Sequence, residues 1–247
     1  MRLSGEKVNI DYKETSRFFG ERAKKYQEDN PYSVTMYQDD HPELVRIRNE
    51  KEIELLLPKL GLDKDSKVLD IACGIGRWAD AITQDISGYI GVDFSKELIE
   101  IAKSRNQKDN FAFYQGAASE IGDILALHHI VGINKVLMMG ILIYLNDEEA
   151  AELFKQVSKI AGSHMTVCLR EPVAIEDRLT LKEFYSAELK DSYSAIYRTR
   201  EELHEFMKES LFREGFQIRQ EGFLFEEDAL NNRKETAQYY YLLERSL

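Results

Sequence analysis

The chain has 247 residues, of which 43% are hydrophobic and 31% charged, a composition that is ordinary for a globular protein and argues against intrinsic disorder. Its net charge of −11 would repel a phosphate backbone, so no nucleic-acid partner is expected. The longest apolar stretch, Val136–Leu145, is too short to cross a bilayer, and the N-terminus lacks a signal-peptide pattern; we therefore expect a cytoplasmic protein without membrane contact.

Residues 1–60 are predicted to form an N-terminal helical cap. The first forty residues are polar and aromatic without a strand period, and we expect them to close over a ligand as a lid. The clearest helix runs from about Pro42 to Leu57, because its apolar residues recur at helical spacing. Pro42 is tolerated in a first helical turn, and Pro58 is expected to end the helix.

From residue 61 onward, short apolar strands alternate with helices. Strands and helices of these lengths in alternation indicate βαβ units and a parallel sheet. Asn146, followed by Glu149, resembles a capping box at the start of the helix that precedes the fifth strand. The five predicted strands are Val68–Ile71, Tyr89–Val92, Phe111–Tyr114, Lys135–Met139 and Met165–Leu169.

The alternation stops at residues 171–200, which we interpret as an insertion without a clean strand. Thr199 and Glu202 then form a capping box for a further helix. Two last strands, near Phe216–Phe225 and Thr236–Glu244, are predicted to pair as an antiparallel hairpin at the end of the sheet. The sequence thus predicts an α/β protein whose sheet has seven strands.

A loop containing glycines follows the first predicted strand and precedes a helix. Gly74 and Gly76 let a ligand approach the backbone there, and the helix start adds free N–H groups. Asp93 ends the next strand, where a carboxylate can accept hydrogen bonds from the two hydroxyls of a ribose. The loop and this carboxylate together indicate an adenosine-type ligand at the carboxyl edge of the sheet.

The same loop also satisfies the dinucleotide-binding pattern, with Gly74, Gly76 and Ala79 at the required spacing, so a nicotinamide-dependent oxidoreductase is an alternative. Asp70 argues against it, since a carboxylate just before the loop would oppose a pyrophosphate but would suit a cationic sulfonium ligand. The terminal hairpin also departs from the usual dinucleotide-binding fold.

The segment Asp70–Gly76 resembles the first motif of class I S-adenosylmethionine-dependent methyltransferases, in which an acidic residue precedes regularly spaced small residues. Gly91–Ser95 is similar to the second motif of that family. Gly116–Ala118 lies where the family contacts the adenine, and Met139–Ile141 lies where it contacts the methionine part. The resemblance spans about Leu60 to Leu247.

This resemblance implies a Rossmann-like, mostly parallel seven-stranded sheet with a terminal antiparallel hairpin. Together with the pattern along the chain, it predicts a cap at 1–60 and a methyltransferase core at 61–247, with an acceptor-side insertion at about 171–200. It implies S-adenosylmethionine as cofactor and S-adenosylhomocysteine as product. The implied cofactor-binding residues are Asp70, Ala72, Gly74, Gly76, Arg77, Asp93, Phe94, Ala117, Ala118, Met139 and Gly140.

The methyl acceptor is not identified by these motifs. In an acidic protein, the arginines between Arg170 and Arg200 suggest recognition of an anionic group. The alternative is that they form ion pairs with nearby carboxylates such as Glu171 and Glu201. The candidate acceptor-binding residues are Arg170, Tyr193, Tyr197 and Arg198.

We interpret the chain as an enzyme that methylates an oxygen or nitrogen of a small polar metabolite, such as a sugar or a nucleotide sugar. The alternatives are a methyltransferase that acts on a macromolecule, the oxidoreductase, and a non-enzymatic member of the family. No catalytic residue is identified. No metal site is expected, because the five histidines lack ligand spacing, and Cys73 and Cys168 lie in apolar strand contexts typical of buried thiols.

Overall fold

The computed structural model describes residues 1–246, and within them it contains ten strands and eight α-helices. The strands are β1 (Arg2–Ser4), β2 (Lys67–Ile71), β3 (Gly88–Asp93), β4 (Phe111–Gln115), β5 (Lys135–Met139), β6 (His164–Ala174), β7 (Leu179–Ser186), β8 (Asp191–Tyr197), β9 (Gln217–Phe223) and β10 (Thr236–Ser246). The helices are α1 (Tyr12–Lys24), α2 (Ser33–Met36), α3 (Pro42–Leu56), α4 (Arg77–Ala81), α5 (Lys96–Arg105), α6 (Ile121–Leu127), α7 (Asp147–Ile160) and α8 (Arg200–Lys208).

Seven strands form the central sheet in the order β4-β3-β2-β5-β6-β10-β9. The pairs from β4 to β6 are parallel, and β10 runs antiparallel between β6 and β9. The inner strands are apolar along both faces, because helices cover both: α6, α7 and α8 pack on one face, and α3, α4 and α5 on the other. The predicted mixed α/β sheet with its terminal antiparallel hairpin is confirmed.

The segment after residue 170 differs from the prediction of an insertion without strands. β6 continues to Ala174, and β7 and β8 form a second, antiparallel sheet with β1. The register shifts between Leu181 and Phe184, which interrupts the alternation of buried and exposed residues in β7. β8 is buried along most of its length, so neither strand shows the period of two by which a strand is recognised in a sequence.

The predicted capping box at Asn146 is wrong. The side chain of Asn146 instead holds the backbone of Ile10: Oδ1 accepts from the Ile10 N–H at 2.8 Å, and Nδ2 donates to the Ile10 carbonyl at 3.2 Å. These two bonds attach the N-terminal segment to the start of α7. By contrast, the box formed by Thr199 and Glu202 is confirmed, with reciprocal bonds of 3.1 and 3.2 Å.

The N-terminal helix α1 connects the two sheets. Its side chains Phe18 and Phe19 are buried in a cluster that also contains Leu98 of α5 and Tyr193 of β8. Aromatic edge contacts join Phe19 to Phe94, the residue that follows β3, at a centroid distance of 5.7 Å. The N-terminal segment therefore packs beside the carboxyl end of β3. None of the helices in residues 1–246 has both the length and the apolar character needed to cross a membrane.

Candidate functional site

The loop between β2 and α4 turns through three residues in left-handed conformation. Ala72, Gly74 and Gly76 have φ angles of 61°, 56° and 79°. Asp93 at the end of β3 holds this loop, since its carboxylate accepts hydrogen bonds of 2.9 Å from the N–H of Gly74 and of 2.9 Å from that of Ser95. Burial raises the pKa of Asp93 to about 6, although both N–H donors oppose the shift. Each carboxylate oxygen has a further lone pair with which to accept a bond from a ligand hydroxyl.

A cavity of about 350 Å³ lies beside this loop; we call it the apolar cavity. The segments that follow β2, β3, β4 and β5 contribute to it, and α1 adds Tyr12, Thr15 and Phe19. The carboxyl ends of parallel strands meet at one edge of a sheet, which explains why residues so distant in sequence converge. Most of the predicted cofactor residues line this cavity, namely Ala72, Gly74, Asp93, Phe94, Ala117, Ala118, Met139 and Gly140.

The other three predicted cofactor residues lie elsewhere. Asp70 and Arg77 line a second cavity of about 110 Å³, which we call the polar cavity. Gly76 lines neither cavity, and a Cβ placed on it would come within 2.8 Å of Asn106 Nδ2 and 3.4 Å of the Phe113 ring. A cofactor contact by Gly76 is therefore not supported: its positive φ and the packing of α5 and β4 require glycine there.

The two cavities meet at the carboxyl end of β5. The residues that line both are Thr35, Ala72, Met139, Gly140 and Tyr144. A ligand in the apolar cavity and a ligand in the polar cavity would therefore contact the same residues.

Asp70 in the wall of the polar cavity is almost completely buried. The hydroxyl of Tyr89 donates to its Oδ2, whereas its Oδ1 has no hydrogen-bond partner among residues 1–246. Burial raises the pKa of Asp70 to about 7, although the Tyr89 hydroxyl and the Arg77 guanidinium oppose the shift. A buried carboxylate oxygen without a partner is unfavourable unless a donor or a cation completes it. The polar cavity is therefore suited to a cationic group beside Asp70.

Two arginines in the wall of the polar cavity share one carboxylate. Nη2 of Arg77 lies 2.5 Å from Glu52 Oε1, and Nη2 of Arg170 lies 3.1 Å from Glu52 Oε2. Burial disfavours the charged form of Glu52, but Arg170 and Arg77 together hold the pKa of that carboxyl below its usual value. Arg170, a predicted acceptor residue, thus reaches the cavity with its charge already paired. Sequence reasoning missed Glu52, because a glutamate in a helix ordinarily faces solvent.

Arg198, a predicted acceptor residue, lies away from both cavities. The residue is 2% exposed and lines none of the cavities described above. Its Nη1 donates to the Leu142 carbonyl at 2.6 Å, its Nη2 to the Leu145 carbonyl at 2.7 Å, and its Nε to Asp147 at 2.9 Å. All three nitrogens are engaged within the protein, so Arg198 holds the turn after β5 in place. Arg198 thus forms an ion pair, as the alternative interpretation of these arginines proposed, and its partner is Asp147.

Two tyrosine hydroxyls meet where the cavities join. Tyr37 lines the polar cavity, Tyr144 lines both cavities, and the two hydroxyls are hydrogen-bonded to each other. Burial raises the pKa of both phenols well above the usual value. Sequence reasoning missed Tyr144, because no local pattern distinguishes a tyrosine in the short turn after β5. Of the two predicted acceptor tyrosines, Tyr197 lines the polar cavity and Tyr193 lines a third cavity adjoining it.

Comparisons with known proteins agree with this geometry. Residues 68–162 match the family described as Methyltransferase domain. The uncharacterized methyltransferase YcgJ of Bacillus subtilis is 31% identical over 124 residues, which cover 44% of this chain and 47% of that protein. The 23S rRNA (uracil(1939)-C(5))-methyltransferase RlmD of Aliivibrio fischeri is 32% identical over 75 residues, 29% of this chain and 17% of that protein. The chain thus spans less than half the length of these curated relatives.

A solved structure extends the likeness over the whole fold. The S-adenosylmethionine-dependent methyltransferase of Anabaena variabilis superposes with a TM-score of 0.63 at 16% identity, and the match covers 100% of both chains. The family match and the fold favour the methyltransferase interpretation over the nicotinamide alternative. Residues 68–162 therefore form a methyltransferase domain, and the fold of the chain is that of the class I S-adenosylmethionine-dependent methyltransferases.

Proposed function

We propose that this protein transfers a methyl group from S-adenosylmethionine to an oxygen or nitrogen of a small polar metabolite. The observation that carries the proposal is the shared wall of the two cavities, with Gly140 and Tyr144 between them. The apolar cavity is large enough for an adenosine-type ligand, and the polar cavity of about 110 Å³ favours a small acceptor group. The net charge of −11 is a further reason to favour a small molecule over RNA.

The residues of the apolar cavity fit the cofactor. Asp93 would accept hydrogen bonds from the ribose hydroxyls, and Phe94 and Ala117 would lie beside the adenine. From the wall of the adjoining polar cavity, Asp70, with its unpaired Oδ1, would face the cationic methionine part. The bound cofactor supplies an electrophilic methyl group on a sulfonium.

The chain's own contribution to the reaction is positioning. Tyr37 and Tyr144 stay protonated, since burial raises the pKa of both, so they orient an acceptor through hydrogen bonds and do not act as bases. Side chains of α1, including Phe19, keep water from the apolar cavity. The proposal is tested by a methyl-transfer screen with labelled cofactor across sugars, nucleotide sugars, amines and phenols.

Replacing Asp93 by alanine should weaken S-adenosylhomocysteine binding. The change removes the acceptor of the ribose hydroxyls and leaves the Gly74 N–H without its partner, so a loss of about 1–3 kcal/mol is expected, roughly tenfold to hundredfold in Kd. Isothermal calorimetry measures the effect, with Asp109→Ala, an exposed residue outside the cavities, as the control. An unchanged dissociation constant would show that Asp93 does not bind the cofactor.

Replacing Gly74 by valine should abolish measurable cofactor binding while the protein remains folded. A Cβ at this position would come within 2.8 Å of Thr35 Cγ2, and the φ of 56° is unfavourable for a β-branched residue. Gly162→Val is the matched control, because nothing lies within 4 Å of a Cβ there. Calorimetry and circular dichroism on both variants separate loss of binding from loss of structure. Normal binding by the Gly74 variant would mean that this loop does not hold the ligand.

A further inference from the structure

A third cavity adjoins the polar cavity and differs from it in character. It has a volume of about 350 Å³, and we call it the aromatic cavity. Five rings and one guanidinium contribute to its wall: Tyr37, Phe184, Tyr185, Tyr193, Tyr197 and Arg233. β7, β8 and the segment before β10 carry most of these residues, so the second sheet builds this cavity beside the first.

Arg233 is the cationic residue of the aromatic cavity. Its guanidinium donates to the Tyr193 hydroxyl and lies 5.6 Å from the centroid of the Phe184 ring and 5.9 Å from that of Tyr193. It forms no salt bridge with any side chain that the structure describes. Arg170 and Arg198, by contrast, are each paired with a carboxylate. A half-buried guanidinium that faces a cavity and is hydrogen-bonded only to phenol hydroxyls can bind a carboxylate or a phosphate through its remaining N–H groups.

The aromatic cavity is continuous with the proposed transfer site. Tyr37, Tyr197 and Asn232 line both the aromatic and the polar cavity. The polar cavity in turn shares Gly140 and Tyr144 with the apolar cavity. A molecule anchored at Arg233 can therefore extend towards the point where the methyl group would be transferred.

We propose that the methyl acceptor is a small organic anion with a planar body, whose carboxylate or phosphate binds Arg233 while its body lies among the aromatic rings. This inference rests on the proposed function and names its substrate class. Glu188 is the acidic residue of the same wall, but its carboxylate already accepts the N–H of Gln38 at 2.7 Å and lies near the cationic Arg48. Arg233 thus remains the charge available to a ligand.

The test measures binding of three probes by calorimetry at saturating S-adenosylhomocysteine. The probes are 4-hydroxybenzoate, phenyl phosphate and the neutral 4-hydroxybenzamide. We expect at least one anion to bind more tightly than the amide, by roughly tenfold or more, since a charge-assisted hydrogen bond distinguishes them. The two anions show whether a carboxylate or a phosphate is preferred.

Arg233→Gln should remove this preference, with a roughly tenfold to hundredfold loss for the anion and little change for the amide. Arg233→Lys keeps the charge without the planar fork and should recover only part of the affinity. Arg200→Gln is the matched control, because Arg200 also lacks a salt bridge among the described side chains but lies beside Phe223 and Tyr239, outside the aromatic cavity. S-adenosylhomocysteine affinity verifies that each variant is folded.

The outcomes separate this inference from the proposed function. If the wild-type protein binds S-adenosylhomocysteine but binds neither anion more tightly than the amide, the anionic acceptor is overturned and the proposed function stands. The anionic acceptor is likewise overturned if Arg233→Gln and Arg200→Gln have equal effects on anion binding. If the wild-type protein does not bind S-adenosylhomocysteine at all, the proposed function itself fails.

Discussion

Replacing Arg198 by alanine should destabilise the fold by about 3–5 kcal/mol, because the change removes one partner of a buried ion pair. The guanidinium holds the carbonyls of Leu142 and Leu145 as well as the carboxylate of Asp147. For a chain of this size, that loss corresponds to a fall in melting temperature of roughly 10 °C. Burial alone would disfavour the charged form of Asp147, and bonds from Arg178 and Arg198 hold the pKa of that carboxyl below its usual value.

The control for this prediction is Arg46→Ala. Arg46 pairs with Glu43 and Glu50 on an exposed helix surface, where such pairs contribute about 0–1 kcal/mol. Urea unfolding of both variants measures the difference. If Arg198→Ala kept wild-type stability and lost only acceptor affinity, the role first predicted from the sequence would be restored.

Replacing Asp70 by asparagine should have opposite effects on stability and on cofactor binding. Burial raises the pKa of Asp70 to about 7, well above the value near 3.8 of an exposed aspartate. The stabilising contribution of such a group is complete below the unfolded-state pKa and is lost as the pH rises through 7. At pH 8 the wild-type protein thus carries a buried charge that asparagine removes, and the variant should be more stable by roughly 2–4 kcal/mol.

The stability gain should disappear at low pH. Near pH 4 the carboxyl of the folded protein is already protonated, so variant and wild type should unfold at similar urea concentrations. The neighbouring groups Tyr89, Arg77, Asp93 and Glu52 are the same in both proteins, which isolates the titration of Asp70. Asp65→Asn, in an exposed turn before β2, is the control and should change stability at neither pH.

Asp70→Asn should weaken cofactor binding, although it stabilises the fold. An amide cannot neutralise a cationic ligand, so Asp70→Asn should bind S-adenosylmethionine roughly tenfold to hundredfold more weakly than the wild type at pH 8. A stabilised protein with weakened binding is the expected signature of a functional residue kept at the expense of stability. A variant that is less stable at pH 8, or that binds as tightly as the wild type, would contradict the role assigned to Asp70.

The sequence by itself determined the central sheet and the neighbourhood of its glycine loop. Val68 to Ile71 and Lys135 to Met139 are short apolar runs between turn signals, and burial on both faces of a parallel sheet leaves a strong local pattern. Ser95 caps α5 through the N–H of Leu98, a role that serine commonly has at the start of a helix. Each of these features depends on residues close together in the chain.

Only the tertiary structure decided which polar residues face a cavity and which are neutralised. Arg198 and Arg233 have the same side chain. The guanidinium of Arg198 is bonded to Asp147 and to two backbone carbonyls, whereas that of Arg233 lies among aromatic rings. Glu52 pairs with Arg170 across 118 positions of sequence, and Tyr37 reaches Tyr144 across 107. Contacts between residues so far apart leave no local periodicity, because they arise from the way the second sheet and the N-terminal helices pack on the first.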